Sequence, residues 1–213
     1  MGLHMTPGDI EAKSFAIITE MLGDRQLPPE QAAIIKRCIH TSADFDYADN
    51  LYCSPGAVAT IKAALGAGAC IVTDTQMAKS GINREAAKKL GVEVLCFIAD
   101  ADVAALAVAR GQTRAVVAVE KALDIMANRN VIFAVGNAPT ALLRLHEAMQ
   151  EGYGLAGIVA VPVGFVNVVE SKELIMSGTA PCIVARGRKG GSTIAAAICN
   201  ALLYDLTGRD GQR

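Results

Sequence analysis

In the run RGRKGGST (186–193), the basic residues Arg186, Arg188 and Lys189 stand among Gly187, Gly190 and Gly191, with Ser192 and Thr193 following. The apolar run PCIVA leads into it, and a stretch rich in small residues, 191–206, follows it with helical character. Glycines let backbone N–H groups turn toward a ligand, the start of a helix adds positive potential, and the basic side chains surround the spot. That chemistry holds an anion. The G-x-x-x-x-G-K-[ST] spacing of a P-loop is missing, so a nucleoside triphosphate is not inferred. A turn that merely opens a helix, with its cations solvated, is the alternative.

His40, in KRCIHTSADFDYA, is the candidate for proton transfer. A helix over 29–42 would bring Arg37, three residues before it, and Asp44, four after it, onto one face. Arg37 could then hold a carboxylate, while Asp44 could orient the imidazole, which would act as a general acid or base. A lone histidine serving as an ordinary surface or core residue is the competing reading. Ser14, in IEAKSFAII, falls between Ile10 and Ile17 on the stripe expected to face the core. A buried hydroxyl needs a partner, either its own helix backbone or a ligand. Arg114 follows Thr113, a good N-cap, and its charge opposes the helix dipole unless it meets an anion. In GNAPTAL (136–142), Asn137 and Thr140 are suited equally to capping a helix or touching a ligand, and PVGFV (162–166) to a tight turn or an apolar wall. His146 reads as an exposed helix residue. No spacing of histidines and carboxylates suits a metal, so no metal site is expected.

The elements that must position these residues are legible as an alternation. Five short apolar runs read as buried strands, at 69–74, 92–99, 130–136, 157–164 and 181–187. Helical stretches separate them at 101–110, 114–128, 138–151 and 167–178. Three more, at 8–22, 29–42 and 55–66, precede the first strand. The expected architecture is therefore α/β: a mostly parallel five-stranded sheet with helices on both faces, a three-layer sandwich with an N-terminal helical segment. In such sheets ligands sit beyond the carboxyl ends of the strands. All the motifs named after strands lie there.

Composition narrows the class. Of 213 residues just over half are hydrophobic, none is tryptophan, and formal net charge is −1. Nothing in that balance draws the chain to nucleic acid or an anionic membrane. The six cysteines form no C-x-x-C pair and are expected as small buried hydrophobes. With no secretory leader and no apolar run long enough to span a bilayer, a cytoplasmic location is expected. No linker or repeat divides the chain, so residues 1–213 are read as a single domain. The opening MGLHM (1–5) reads as an appended remnant, and His4 carries no weight.

Taken together, IEAKSF (10–15), RCIHTSADFDYA (37–48), DTQMAKSGI (74–82), TRA (113–115), GNAPTAL, PVGFVNVVESK (162–172), GRKGGST and NAL (200–202) resemble the precorrin-8X methylmutase family of cobalamin biosynthesis. The likeness runs from about Ile10 to Leu206. It implies an isomerase that moves a methyl group from C-11 to C-12 of a corrinoid, with no methyl donor and no cofactor. It implies His40 as the acid/base residue, Ser14 as a substrate-contacting serine and Arg114 as the key arginine. With the matched strand-end motifs, the expected substrate contacts are Ser14, Arg37, Thr75, Met77, Arg114, Asn137, Thr140, Gly164, Phe165, Arg188, Lys189, Gly190 and Gly191, with Asp44 orienting His40. A homodimer with sites near the interface is also implied. Ala115 departs from the pattern, which leads one to expect a hydroxyl residue there.

Such a substrate is an apolar disc rimmed by carboxylates, and it calls for a wide cleft with scattered cations rather than one phosphate site. Arg37, Arg114, Arg186, Arg188 and Lys189 could supply that rim. Two other classes remain open at this point: a carrier that binds the corrinoid unchanged, and a nucleotide-dependent enzyme using 187–193 as its phosphate loop. The absent Walker and Rossmann spacings count against the latter.

Overall fold

The computed structural model describes residues 6–127 and 129–208. Residues 1–5, and residue 128 at the end of the expected helix 114–128, lie outside the described residues. The strands are β1 (Leu51–Cys53), β2 (Cys70–Thr73), β3 (Val94–Leu95), β4 (Val131–Val135), β5 (Gly157–Ala160) and β6 (Cys182–Ala185). They form one sheet in the order β1-β6-β5-β4-β2-β3. All neighbours are parallel except β1, which pairs antiparallel with β6 through Tyr52 and Val184. The sheet thus has six strands, not five. The extra one is a three-residue edge strand with no alternation long enough to show in the sequence.

The helices are α1 (Pro7–Leu22), α2 (Ala32–Ser42), α3 (Tyr47–Asn50), α4 (Ala57–Gly66), α5 (Gln76–Gly81), α6 (Arg84–Lys89), α7 (Ala101–Arg110), α8 (Arg114–Ile125), α9 (Pro139–Gln150), α10 (Val168–Met176) and α11 (Ser192–Thr207). The eight expected helices are present within a few residues. The short α3, α5 and α6 were not anticipated, because one or two turns carry too little periodicity. The expected strands 92–99 and 157–164 shrink to Val94–Leu95 and Gly157–Ala160.

Strand alternation sorts the core into two layers. Ile132 and Ala134 of β4 face one side, with Ile71, Val159 and Ile183, and meet residues from α2, α4, α5, α6 and α11. Val131, Phe133 and Val135 face the other side, with Val72, Ile158 and Val184, and meet α8, α9 and α10. Helices therefore cover both faces. All six cysteines are free thiols and only Cys53 is not fully buried. No described helix is long and apolar enough to cross a membrane.

One amphipathic assignment is corrected. The core stripe of α1 is Phe15, Ile18 and Leu22, whereas Ile10, Ile17 and Met21 are 55%, 46% and 65% exposed. Ser14 lies on the outward side of the helix and is only half-buried. Both stripes are apolar at helical spacing, so periodicity alone does not choose between them.

The sheet brings the strand-end loops into close contact. Gly136, just after β4, abuts the start of α11 so tightly that a Cβ would sit 2.6 Å from the Ser192 Cα. Gly136→Ala should therefore lose ~3 kcal/mol of stability through overpacking against backbone. Gly66→Ala, at a position with no heavy atom within 4 Å, should change it little. Denaturant unfolding of both variants checks the contrast; equal effects would place the constraint elsewhere.

Candidate active site

His40 is on the last turn of α2, and the contacts of α1 determine how it is presented. Ser14 Oγ lies 2.8 Å from His40 Nδ1. The imidazole stacks on Phe15, with ring centroids 5.1 Å apart and planes inclined by 15°. The ring is otherwise exposed, and Nε2 has no hydrogen-bond partner among the described residues. When Nδ1–H donates to Ser14, Nε2 is left free to carry a proton as an acid or to accept one as a base. The serine hydroxyl supports either state without moving. A groove of about 280 Å³ lined by Ile10, Lys13, Ser14, Ile17 and Ile18 opens beside it.

Asp44 does not orient the histidine. Ala43 ends α2 in the left-handed conformation, so the helical i to i+4 relation between His40 and Asp44 is broken. The Asp44 carboxylate instead pairs with Lys189 at 2.6 Å, and Asp46 pairs with the same ammonium at 2.6 Å. This bond holds Asp44 below the usual carboxylate range and raises Lys189. Lys189 is accordingly neutralised and is not a free cation for substrate. Arg37 is corrected in the same way. It is buried, ion-paired with Glu11, and sandwiched between the Phe15 ring at 4.7 Å and the Tyr204 ring at 5.1 Å. The expected carboxylate is Glu11 of α1, not a ligand. Tyr204, Arg37, Phe15 and His40 thus form one continuous stack behind the imidazole.

A second group of residues gathers where β2 and β4 end. From β2 the chain goes outward to β3, and from β4 it goes the other way to β5, which makes this the switch point of the sheet. Asp74, buried just after β2, accepts the backbone N–H groups of Gly136, Asn137 and Ala138 at 2.9, 2.8 and 2.8 Å. Burial raises its pKa, and these bonds oppose the rise. Thr75 caps α5 and meets Ser192 Oγ at 2.8 Å. Thr113 caps α8 and meets Thr140 at 2.9 Å, which puts the exposed Arg114 beside Thr140. Neither Asn137 nor Thr140 caps α9 through its side chain. Asn137, Met77 and Phe165 are exposed along this rim. Ala115 is buried in the core layer under α8, so the hydroxyl missing there is lost from packing rather than from the surface.

The glycine loop is bound mostly from below. Gly191 N–H donates to Val161 O at 2.8 Å, and a Cβ on Gly190 would collide with that carbonyl. Gly164 N–H donates to Arg188 O at 3.2 Å, while Arg188 Nη1 donates to Phe165 O at 2.8 Å. Gly190 is therefore required first for close packing, whereas Gly191, whose Cβ would have room, is required by its φ of 128°. Lys172 of α10, 1% exposed, donates to Gly187 O at 2.8 Å and Lys189 O at 2.9 Å. Sequence reasoning missed Lys172, Asp74 and Ser192. The first two were visible only as a lysine in a helix and an aspartate after a strand, and burial is what singles them out.

Burial without a carboxylate partner pulls the Lys172 pKa down from 10.5 to about 8. Below pH 8 both folded and unfolded chains hold this proton, and the full cost of the buried charge is present. Between about pH 8 and 10.5 the unfolded chain binds the proton that the folded protein has released, so stability rises with pH. The parent should gain ~2 kcal/mol over Lys172→Met between pH 7.5 and 9.5. Urea unfolding of both at the two pH values checks this; a pH-independent difference would contradict it.

Three comparisons bear on this arrangement. Residues 9–205 match the family model described as precorrin-8X methylmutase (CbiC). A cobalt-precorrin-8 methylmutase of Salmonella typhimurium is 45% identical over 94% of this chain and 96% of its own length. A precorrin-8X methylmutase of Pseudomonas aeruginosa is 39% identical over 91% and 93%. A solved structure of the precorrin-8X methylmutase from Thermus thermophilus superposes with a TM-score of 0.85 at 40% identity, covering 93% of this chain and 98% of that one. The order of motifs from Ser14 to the end of α11, the sheet they are mounted on and the extent of these matches agree, and the chain belongs to the precorrin-8X methylmutase family.

Proposed function

We propose that the protein is an isomerase that moves the methyl group from C-11 to C-12 of precorrin-8X, or of its cobalt form, giving hydrogenobyrinic or cobyrinic acid in cobalamin biosynthesis. The observation that carries the reading is the Ser14–His40 pair, stacked on Phe15 and exposed beside an apolar groove of about 280 Å³. His40 Nε2–H donates a proton to the corrinoid π-system, which depletes electron density at the carbon that receives the methyl group. The methyl then migrates within the ring, a proton leaves, and the atoms of substrate and product balance without a donor or a cofactor. Ser14, rather than Asp44, keeps the imidazole aligned. Arg114 and Arg188 meet peripheral carboxylates, while Met77, Phe165 and the small residues of the rim lie along the disc. Thr75, Asn137, Thr140 and Gly164 complete the contacts, and the whole chain is read as one catalytic domain working in the cytoplasm.

The reading includes a homodimer with its sites near the interface. The outward apolar stripe Ile10, Ile17 and Met21 adjoins Ser14, and an exposed apolar face beside an open catalytic corner is suited to closure by a second copy. Such closure would exclude water from the proton-transfer step.

His40→Ala should cut turnover by about 10²–10⁴-fold with product affinity preserved. Ser14→Ala should cost about tenfold in kcat, and Arg114→Ala about tenfold in affinity. Visible spectra and pigment mass during incubation with precorrin-8X read all three. A chromophore change at constant mass marks isomerisation, whereas a bound but unconverted pigment would replace this reading with a carrier. Ile17→Glu should convert a dimer to monomers on light scattering and lower turnover; a monomeric parent would remove the dimer from the proposal.

A further inference from the structure

Lys172 offers an inference about how the glycine loop recognises anions, and it rests on the corrinoid reading above. Its ammonium has no carboxylate partner among the described residues, and its bonds run to two loop carbonyls, Gly187 O and Lys189 O. The described backbone contains no cis peptide, so each N–H points opposite to the carbonyl of its own peptide unit. With the Gly187 and Lys189 carbonyls drawn down onto Nζ, the N–H groups of Arg188 and Gly190 must point away from Lys172. Among the described residues neither of these N–H groups has a backbone acceptor, whereas the next one, Gly191 N–H, is turned back onto Val161 O.

We propose that Lys172 is a positioning residue that orients this loop for binding a substrate carboxylate. It withdraws two carbonyl oxygens that would repel an anion and turns two N–H donors away from Nζ, on the loop that carries Arg188. Its buried positive charge adds to the potential there. Lys189 cannot serve that purpose, because Asp44 and Asp46 neutralise it. The choice of lysine also has a stability cost at neutral pH that an apolar residue of similar length would avoid. A purely structural brace has no need of a charge in that position, whereas an anion site gains from one.

The test compares Lys172→Met and Lys172→Gln with the parent and with His40→Ala. Titrating product, hydrogenobyrinic acid or its cobalt form, Lys172→Met should weaken binding at least tenfold and raise KM, with kcat within about threefold. Lys172→Gln, which keeps N–H donors but no charge, should recover part of the loss and covers the case in which the Met variant fails to fold. His40→Ala should show the opposite split, with binding kept and turnover lost. In the ligand-free protein, the amide resonances of Arg188 and Gly190 should move in both Lys172 variants. Folded variants with parental affinity and unmoved loop amides would overturn the proposal. Moved amides in a protein whose parent binds no corrinoid would uphold the positioning role and sink the substrate instead.

Discussion

The Asp74 carboxylate is the constraint on which the site depends. It closes β2, sits almost out of reach of water, and accepts three successive backbone N–H groups from the loop that closes β4. A carboxylate buried this way would be costly if any of its donors were missing. The loop 136–138 is therefore held in one shape, and with it the approach of Gly136 to Ser192 and the Thr75–Ser192 contact. Three chain segments distant in sequence are joined at the switch point of the sheet by one group.

Lys172 is its counterpart. Both charges are buried without an ion pair, and both are satisfied by backbone: Asp74 by N–H groups, Lys172 by carbonyls. In each case the charge fixes which way the peptide units of a strand-end loop face. The opposite arrangement holds at the surface, where Asp44 and Asp46 neutralise Lys189, and at the buried Arg37, which is paired with Glu11. Of the basic residues gathered from the sequence, Arg114, Arg186 and Arg188 are exposed, with Arg186 over the Tyr52 ring at 5.1 Å and Arg188 over the Phe165 ring at 5.5 Å while it donates to Phe165 O. The local electrostatics are thus more selective than the count of cations suggested.

The corner around His40 is held by packing and one neutral hydrogen bond rather than by a charged partner. The stack from Tyr204 through Arg37 and Phe15 to His40 joins α11, α2 and α1, so the imidazole plane is set by three helices. Ser14 then needs to supply only one hydrogen bond to leave Nε2 available. A neutral partner suits the acid–base role proposed for this imidazole, since it favours neither state as strongly as a carboxylate would.

Much was determined by the sequence alone. Buried strands announced themselves as short β-branched runs and the longer helices by their spacing, because burial on both faces of a parallel sheet leaves that pattern. The motifs at the strand ends, with His40, Ser14 and Arg114, stood out by residue type. Tertiary structure decided what those residues touch. Asp44 went to Lys189 because one left-handed residue, Ala43, ended the helix that would have carried it to His40. Arg37 was claimed by Glu11 and two rings, Ser14 faced outward beside His40, and Asp74 and Lys172 acquired their roles. The physical reason is that periodicity encodes which face is apolar, whereas partners of buried charges and the direction of a loop's peptides depend on segments brought together only by folding.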